Sequence, residues 1–301
     1  MEVYRVNSRK QKYFKKWIEQ IVFTGPAFLF FFVIIVIPFL LSIYFSLTSW
    51  NGVTSEIKWA GFANFKQLIL NDEGFRTSFW FTAKYMVAAV ILTNLVGFLL
   101  ALLVTQPLKL SHTFRTIFFL PNVIGGLLLG YIWSFIFVKG FDTVGQLTQI
   151  PLFLLPWLGT AETAFWGMVI VSVWQLSGYI MVIYIASLLN IPKEQVEAAK
   201  IDGANRWHML RSIIIPLIMP AVTVCLFLTI SWSFKVFDVN LSLTKGGPFG
   251  STESVALNIY NEAFRNNRYG LGTAKALVFF VIVAFITMLQ VYFTKKKEVE
   301  M

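Results

Sequence analysis

Charge is what this sequence has least of. Asp, Glu, Lys and Arg make up 13% of the 301 residues while 57% are hydrophobic, against about a quarter charged in an ordinary soluble domain, and the mean hydropathy is +0.69. A water-soluble globule is excluded, so the chain is read as membrane-embedded. Cysteine is almost missing: one residue, Cys225, excludes an intrachain disulfide and a Cys metal cluster and reads as a small buried side chain. The only histidines are His112 and His208, neither with a second His at i+4, which excludes a zincin-type metal site. No G-x-x-x-x-G-K-[ST] run occurs, so the chain has no P-loop of its own with which to bind and hydrolyse ATP.

What is present is long runs without charge. A helix needs about 20 apolar residues to cross a hydrocarbon core, and a charge inside it is costly. Gaps between charged residues long enough to cross run from Gln20 to Ser55, Tyr85 to Leu108, Thr116 to Val138, Thr163 to Pro192, Ser212 to Phe234 and Ala276 to Thr294. They predict an all-α polytopic fold with six transmembrane helices: a first helix over 21–47, then spans near 85–105, 116–138, 164–189, 212–234 and 275–294 inside a domain covering 77–290. A further gap, Thr143 to Ala161, is broken by Pro151, Pro156 and several Gly and Gln residues, and is read as a loop or re-entrant cap.

Lys and Arg set the orientation. With the N-terminus inside, fifteen fall in inner segments and seven in outer ones, with Lys84, Lys235 and Lys275 at span edges. Both termini are therefore expected in the cytoplasm, as an interfacial segment over 1–20 and a basic tail over 295–301. In the first, bases alternate with Tyr13, Phe14, Trp17 and Ile18, a pattern suited to lying among lipid headgroups. The formal charge of +10 is accounted for by topology and anionic lipid, and nucleic acid is not needed as a partner.

The spans themselves offer little ionisable chemistry. No acid or His lies near the middle of any of them, which leaves a proton relay without groups. "QLSGY", Gln175 to Tyr179, puts Ser177 in a span, yet no membrane-embedded His could serve as its base, so intramembrane proteolysis is disfavoured. Asn94, Asn122, Gln175, Ser177, Tyr179, Thr229, Ser231 and Ser233 can each bond a neighbouring helix or line a polar pathway. Gly125, Gly126 and Gly130, following Pro121, suit close packing or a bend.

One interior passage is polar, "VEAAKIDGANRWHMLRSIIIP", Val196 to Pro216, within a cytoplasmic connection over 192–216. Pro192 suits the first turn of a helix, and Lys193, Val196 and Lys200 fall along one line of it. Gly203 suits a left-handed stop, and Trp207, Leu210, Ile213 and Ile214 make the apolar stripe of a second helix. Two short helices with small Ala198 and Ala199 beside Glu197 read as a docking element for another protein, against the plainer alternative of a solvated loop.

At this passage the chain resembles a known family. Glu197-Ala198-Ala199, Asp202-Gly203-Ala204, Ile213 and Pro216 are similar to the EAA loop of membrane subunits of binding-protein-dependent ABC importers, with Leu210 where that family often has Phe. "PFLLSIYFSLTSWNG", "GFANFKQL", "LTKGGPFGSTESVALNIYNEAF" and "YGLGTAKALVFFVIV" resemble its carbohydrate-uptake, maltose-type branch. The resemblance implies a type I importer permease, not an enzyme, that binds no cofactor. It would pair with a homologous sister permease, with two cytoplasmic ATPases that use ATP and Mg, and with an extracellular solute-binding protein that delivers a sugar across a bacterial-type cytoplasmic membrane. Glu197, Ala198, Ala199, Asp202, Gly203 and Ala204 would dock the ATPases.

By the same resemblance, Trp174, Tyr179, Thr229 and Ser233 fall where maltose-type permeases contact sugar, and an aromatic face with nearby hydroxyls suits such a ligand. The Gly-rich outer segment "TKGGPFGSTES" would meet the binding protein, and Lys235 and Asp238, at i and i+3, can pair on one helix face. Two alternatives stay open: a secondary carrier acting as a dimer, and an importer of an acidic sugar whose charge is met by the sister subunit.

Overall fold

The computed structural model describes residues 17, 19–107 and 109–296. Most of the interfacial segment 1–20 and of the basic tail 295–301 lies outside the described residues. In chain order the helices are α1 (Glu19–Ser46), α2 (Ala63–Asn71), α3 (Glu73–Val104), α4 (Ser111–Phe119), α5 (Gly126–Thr148), α6 (Ala161–Leu189), α7 (Lys193–Ile201), α8 (Arg206–Leu217), α9 (Met219–Phe234), α10 (Val255–Tyr260) and α11 (Tyr269–Lys295). Among the described residues no β-strand forms; one isolated bridge pairs Thr48 with Trp59. Single helices α1, α3, α5, α6 and α11 are each long and apolar enough to cross a membrane, and α8 with α9, bent by 72°, makes a sixth crossing if taken as one span.

Two of the expected spans are not continuous helices. The span near 116–138 breaks after α4 into a tight turn over Leu120–Val123 and an extended Ile124 before α5 begins. Pro121 sits at the start of that turn, where its fixed φ suits a helical first turn but its missing N–H cannot continue one. The span near 212–234 is divided at Ile218 (φ −93°, ψ 6°), two residues after Pro216 and two before Pro220. Pro220 has no N–H for the carbonyl of Pro216 four residues back, and its ring crowds that oxygen, so the helix turns there. By contrast α3 starts well before residue 85, because Asp72 Oδ1 caps it by accepting from Phe75 N at 2.7 Å and Glu73 complements the helix dipole.

The chain divides into two compact units, one of residues up to 69 with Glu262–Leu277, the other of Leu70–Asn261 with residues from Val278 onward. In the first, Asn64 Nδ2 donates to the carbonyls of Ser46 and Thr48, both at 2.8 Å, and Gly270 N donates to Trp50 O at 2.9 Å. Phe45 stacks on Trp50 at 4.6 Å, with Tyr269 edge-on to both. Lys275, placed at a span edge by the sequence reading, is instead fully buried, with Nζ 2.6 Å from Glu262 Oε2; Arg268 Nη1 reaches Glu262 Oε1 at 3.2 Å.

In the second unit α3 and α6 form the spine. Tyr85, Met168, Val171, Leu129 and Phe137 are buried together in one apolar cluster, and Ala101, Ile180, Met181, Ile218 and Cys225 in another. Between the clusters Asn94 joins three helices: its Nδ2 donates to Thr229 Oγ1 at 2.9 Å on α9, and Tyr184 OH on α6 donates to its Oδ1 at 3.0 Å. Helix α5 lies against a π-helical turn over Asn240–Thr244, an approach that needs glycine. A Cβ on Gly126 would come 2.8 Å from Asp238 Cβ, and one on Gly130 would overlap the Ser242 hydroxyl. Beyond α5, Gln149 takes a left-handed conformation (φ 56°), and the turns that follow bring Trp157 back to stack on Phe137 at 4.9 Å.

Candidate functional site: a two-helix turn and a polar cavity

Helix α7 is short and polar, and its end is sealed by backbone bonds. Ala204 N donates to Ala199 O at 2.9 Å and Gly203 N to Lys200 O at 3.1 Å, with Gly203 at φ 79°. That pairing satisfies the last carbonyls and needs a left-handed residue after the cap, a conformation open to glycine at no steric cost. A new helix starts at once: Asn205 Oδ1 accepts from His208 N at 2.7 Å and caps α8. Pro192 precedes the first helical residue, Lys193, and so stands at the cap position, not inside the first turn.

Around this turn Ala199 is buried while Glu197, Ala198, Asp202 and Gly203 are exposed and Ala204 is half-buried. The Glu197 carboxylate has no ion pair or hydrogen bond among the described residues. A cleft of about 360 Å³ opens at the turn, lined by Ala199, Asp202, Gly203, Ala204, Asn205, His208 and Ile213. Two large apolar side chains stand out into solvent nearby, Ile201 at 86% and Trp207 at 69% exposure. Trp207 was expected on the inward stripe of α8, but Met209 is buried in its place, with Leu210, Ile213 and Ile214 half-buried. A π-helical turn follows over Leu210–Ile214.

The four residues expected to contact sugar do not converge. Trp174 lines a cavity of about 800 Å³ whose walls are apolar side chains of α3, α4 and α6, with Ser177 as an exception whose hydroxyl is bonded to Val173 O. Such a cavity gives a polyhydroxylated ligand no partners. Thr229 is buried at 1% exposure, donating to Cys225 O at 2.7 Å while accepting from Asn94, so it joins helices and faces no open space. Ser233 lines a second cavity, of about 320 Å³. Tyr179 lines neither, but its ring meets Trp232 edge-on at 5.2 Å, and Trp232 is in the wall of that second cavity.

This smaller cavity is the polar one. Its wall includes Tyr85, Ser172, Gln175, Trp232, Ser233, Lys235 and Asp238. Tyr85 OH and Ser172 Oγ share a hydrogen bond of 2.5 Å, and Gln175 Nε2 donates to Ile124 O at 3.0 Å across the break between α4 and α5. Lys235 and Asp238 are both exposed and are not within ion-pair distance of each other, so the expected structural pair gives way to opposite charges at one mouth. Sequence reading missed Ser172, Trp232 and the cavity role of Lys235 and Asp238; the clustering of polar types at 231–238 was the available signal. Among the described residues no group of His, Cys, Asp and Glu is placed to hold a metal.

Comparison with known proteins agrees with this architecture. Residues 93–299 match the family described as "Binding-protein-dependent transport system inner membrane component". The chain is 48% identical to the "Probable starch degradation products transport system permease protein AmyD" of Thermoanaerobacterium thermosulfurigenes, over 98% of this chain and 100% of that one. It is 32% identical to the "Multiple sugar-binding transport system permease protein MsmF" of Streptococcus mutans, over 87% of this chain and 90% of the other. In fold it is similar to a chain of a bacterial ABC transporter involved in the import of the acidic polysaccharide alginate, with a TM-score of 0.78, 18% identity, and coverage of 98% of this chain and 99% of that one. Five or six apolar crossings among the described residues, a sealed two-helix turn and a family match over 93–299 lead to one statement: the chain belongs to the binding-protein-dependent transport system inner membrane components, as a multi-pass membrane protein of the type I ABC importer permease fold.

Proposed function

We propose that this chain is one of two homologous permease subunits of an ATP-driven importer for an oligosaccharide or a related glycoside or polyol. The relatives named for starch degradation products and for multiple sugars support the substrate class. Two cytoplasmic ATPase subunits supply the ATP and Mg chemistry, an external solute-binding protein delivers the sugar, and the assembly sits in a cytoplasmic membrane with both termini of this chain inside. The observation that carries the coupling role is the sealed turn. It leaves Glu197, Ala198, Asp202 and Gly203 facing solvent on a rigid support, with Ile201 as an apolar contact, which is what docking into a partner's cleft requires. Ala199 and Ala204 hold the turn closed from behind.

The domain limits are read as a first helix over 21–47 and a transporter domain over 77–290 that includes the loop 192–216. Within that domain the polar cavity is the wall this subunit offers to sugar. Ser172, Gln175, Ser233 and the edge of Trp232 supply hydroxyl, amide and ring contacts, with Tyr179 behind Trp232. Lys235 and Asp238 together favour a neutral ligand over an acidic one. The test is Glu197→Lys in the assembled transporter. Sugar uptake should fall by about tenfold or more with loss of ATPase co-purification, in line with the weight of a buried interface anchor. Wild-type uptake and assembly would show the docking assignment to be wrong.

A further inference from the structure

The apolar cavity that Trp174 lines is a trough between three helices. Leu92, Val96 and Leu100, one residue per turn of α3, make one wall; Ile117 and Phe118 close the side formed by α4. Along α6 it runs from Trp166 to Gly178, which at 1.5 Å per residue is about 18 Å, a little over half of a hydrocarbon core of about 30 Å. A volume of about 800 Å³ spread over that length gives a mean cross-section of roughly 45 Å², whereas a helix 10 Å wide needs roughly 80 Å². The trough is too narrow to seat a helix to its full width, and its length suits a hydrocarbon tail that reaches the middle of a bilayer. Trp166 and Trp174, each 43% exposed, present their rings outward from it.

Near one end of the trough stands an unmatched cation. Arg115 lies one turn before Phe118 on α4, so the two share a side of that helix. Among the described residues its Nε is buried with no hydrogen-bond partner, and the guanidinium makes no ion pair. The acids flanking it in sequence are as distant as Glu73 and Asp142. A guanidinium only donates, through a planar fork that fits a phosphate, and a buried donor left unmatched is costly. Arg115 also directly precedes the charge-free run Thr116 to Val138, which sets it where hydrocarbon gives way to headgroups.

We propose that the trough and Arg115 together form a site for one anionic phospholipid, with a tail along α6 and the phosphate on the Arg115 guanidinium. The tail supplies affinity through its buried methylenes, and the phosphate supplies selectivity. Lys109, exposed just ahead of α4, favours a headgroup of net negative charge over a zwitterionic one. A helix of a second subunit is the less suitable occupant, because the trough offers it neither the width nor an apolar end. The site is independent of what the transporter carries.

The test uses the complete transporter, stripped of lipid in detergent and titrated with dioleoylphosphatidylglycerol or dioleoylphosphatidylcholine while native mass spectrometry counts the lipid retained. Wild type should hold phosphatidylglycerol the more tightly. Arg115→Gln should weaken that binding about tenfold and remove the preference, whereas Arg115→Lys should keep part of it. Ile170→Trp, which fills the trough, should lower retention of both lipids, and the same spectra show whether the complex is still assembled. Equal retention of the two lipids by wild type overturns the site, as does phosphatidylglycerol binding unaltered by Arg115→Gln or by Ile170→Trp in an assembled complex. A disulfide formed in the assembled transporter between Val173→Cys and a cysteine placed on a span of a second membrane subunit assigns the trough to protein and also overturns the proposal.

Discussion

Replacing Lys275 by Met is the sharpest probe of how the unit formed by 262–277 is held. Lys275 is completely buried, its ammonium 2.6 Å from Glu262 Oε2, and the Glu262 side chain is itself only 10% exposed. Met keeps the length and removes the charge, leaving a buried carboxylate with Arg268, whose own side chain is 52% exposed, as its remaining ion-pair partner within this cluster. Removing one member of a buried pair costs about 3–5 kcal/mol, and at roughly 2–4 °C per kcal/mol that lowers the melting temperature by roughly 6–20 °C. Removing both charges together avoids the stranded Glu262 carboxylate, so Glu262→Gln with Lys275→Met should recover part of the loss. Thermal unfolding of the purified transporter, followed by intrinsic fluorescence for wild type, both single variants and the double variant, gives the coupling directly. A Lys275→Met protein melting within about 2 °C of wild type, or a double variant as unstable as the sum of the singles, would refute the cluster as a stabilising unit.

Two further substitutions test the turn and the helix contact. Gly203→Val places a β-branched residue at φ 79° and should cost about 1–2 kcal/mol, confined to the turn; co-purification of the ATPases should weaken while the melting temperature of the permease stays near wild type. Gly203→Asn, which tolerates the left-handed region, should fall between the two. Gly130→Ala puts a methyl group into the Ser242 hydroxyl and should lower stability by about 1–3 kcal/mol; Ser242→Gly in the same protein should restore part of it, measured by the same fluorescence melt.

The polar turn was legible because it breaks two strong local rules at once: charge inside an apolar chain, and a glycine between two helix-forming runs. The left-handed Gly203 needed no tertiary information, since the cap depends only on neighbours from Ala199 to Ala204. Membrane crossing was legible for the same local reason, but continuity was not. A scan for charge-free gaps sums hydropathy and is blind to Pro121, Pro216 and Pro220, which are apolar and yet stop hydrogen bonding. Facing was lost at the start of α8, where Trp207, counted on the apolar stripe, is exposed and Met209 is buried. Thr229 looked like a ligand contact because hydroxyls serve both purposes, and only the position of Asn94, distant in sequence, assigns it to helix joining. Lys275 and Glu262 were unreadable as a pair because an ionisable residue near a span end ordinarily reaches water, and nothing local shows this one turned inward.

On the coupling role proposed for the Glu197 turn, the elbow at Ile218 sets the kind of motion the turn would send onward. Helices α8 and α9 meet at 72°, nearly a right angle. A thrust along the axis of α8 therefore arrives at α9 almost wholly as a sideways displacement, with little sliding along its length. Sliding would have to break the packing of Ile218 and Cys225 against α3 and α6, whereas a sideways swing of α9 moves Trp232, Ser233 and the cavity mouth together as one wall. Under that role the two prolines would make the chain a bell crank, in which a push at one end becomes a tilt at the other.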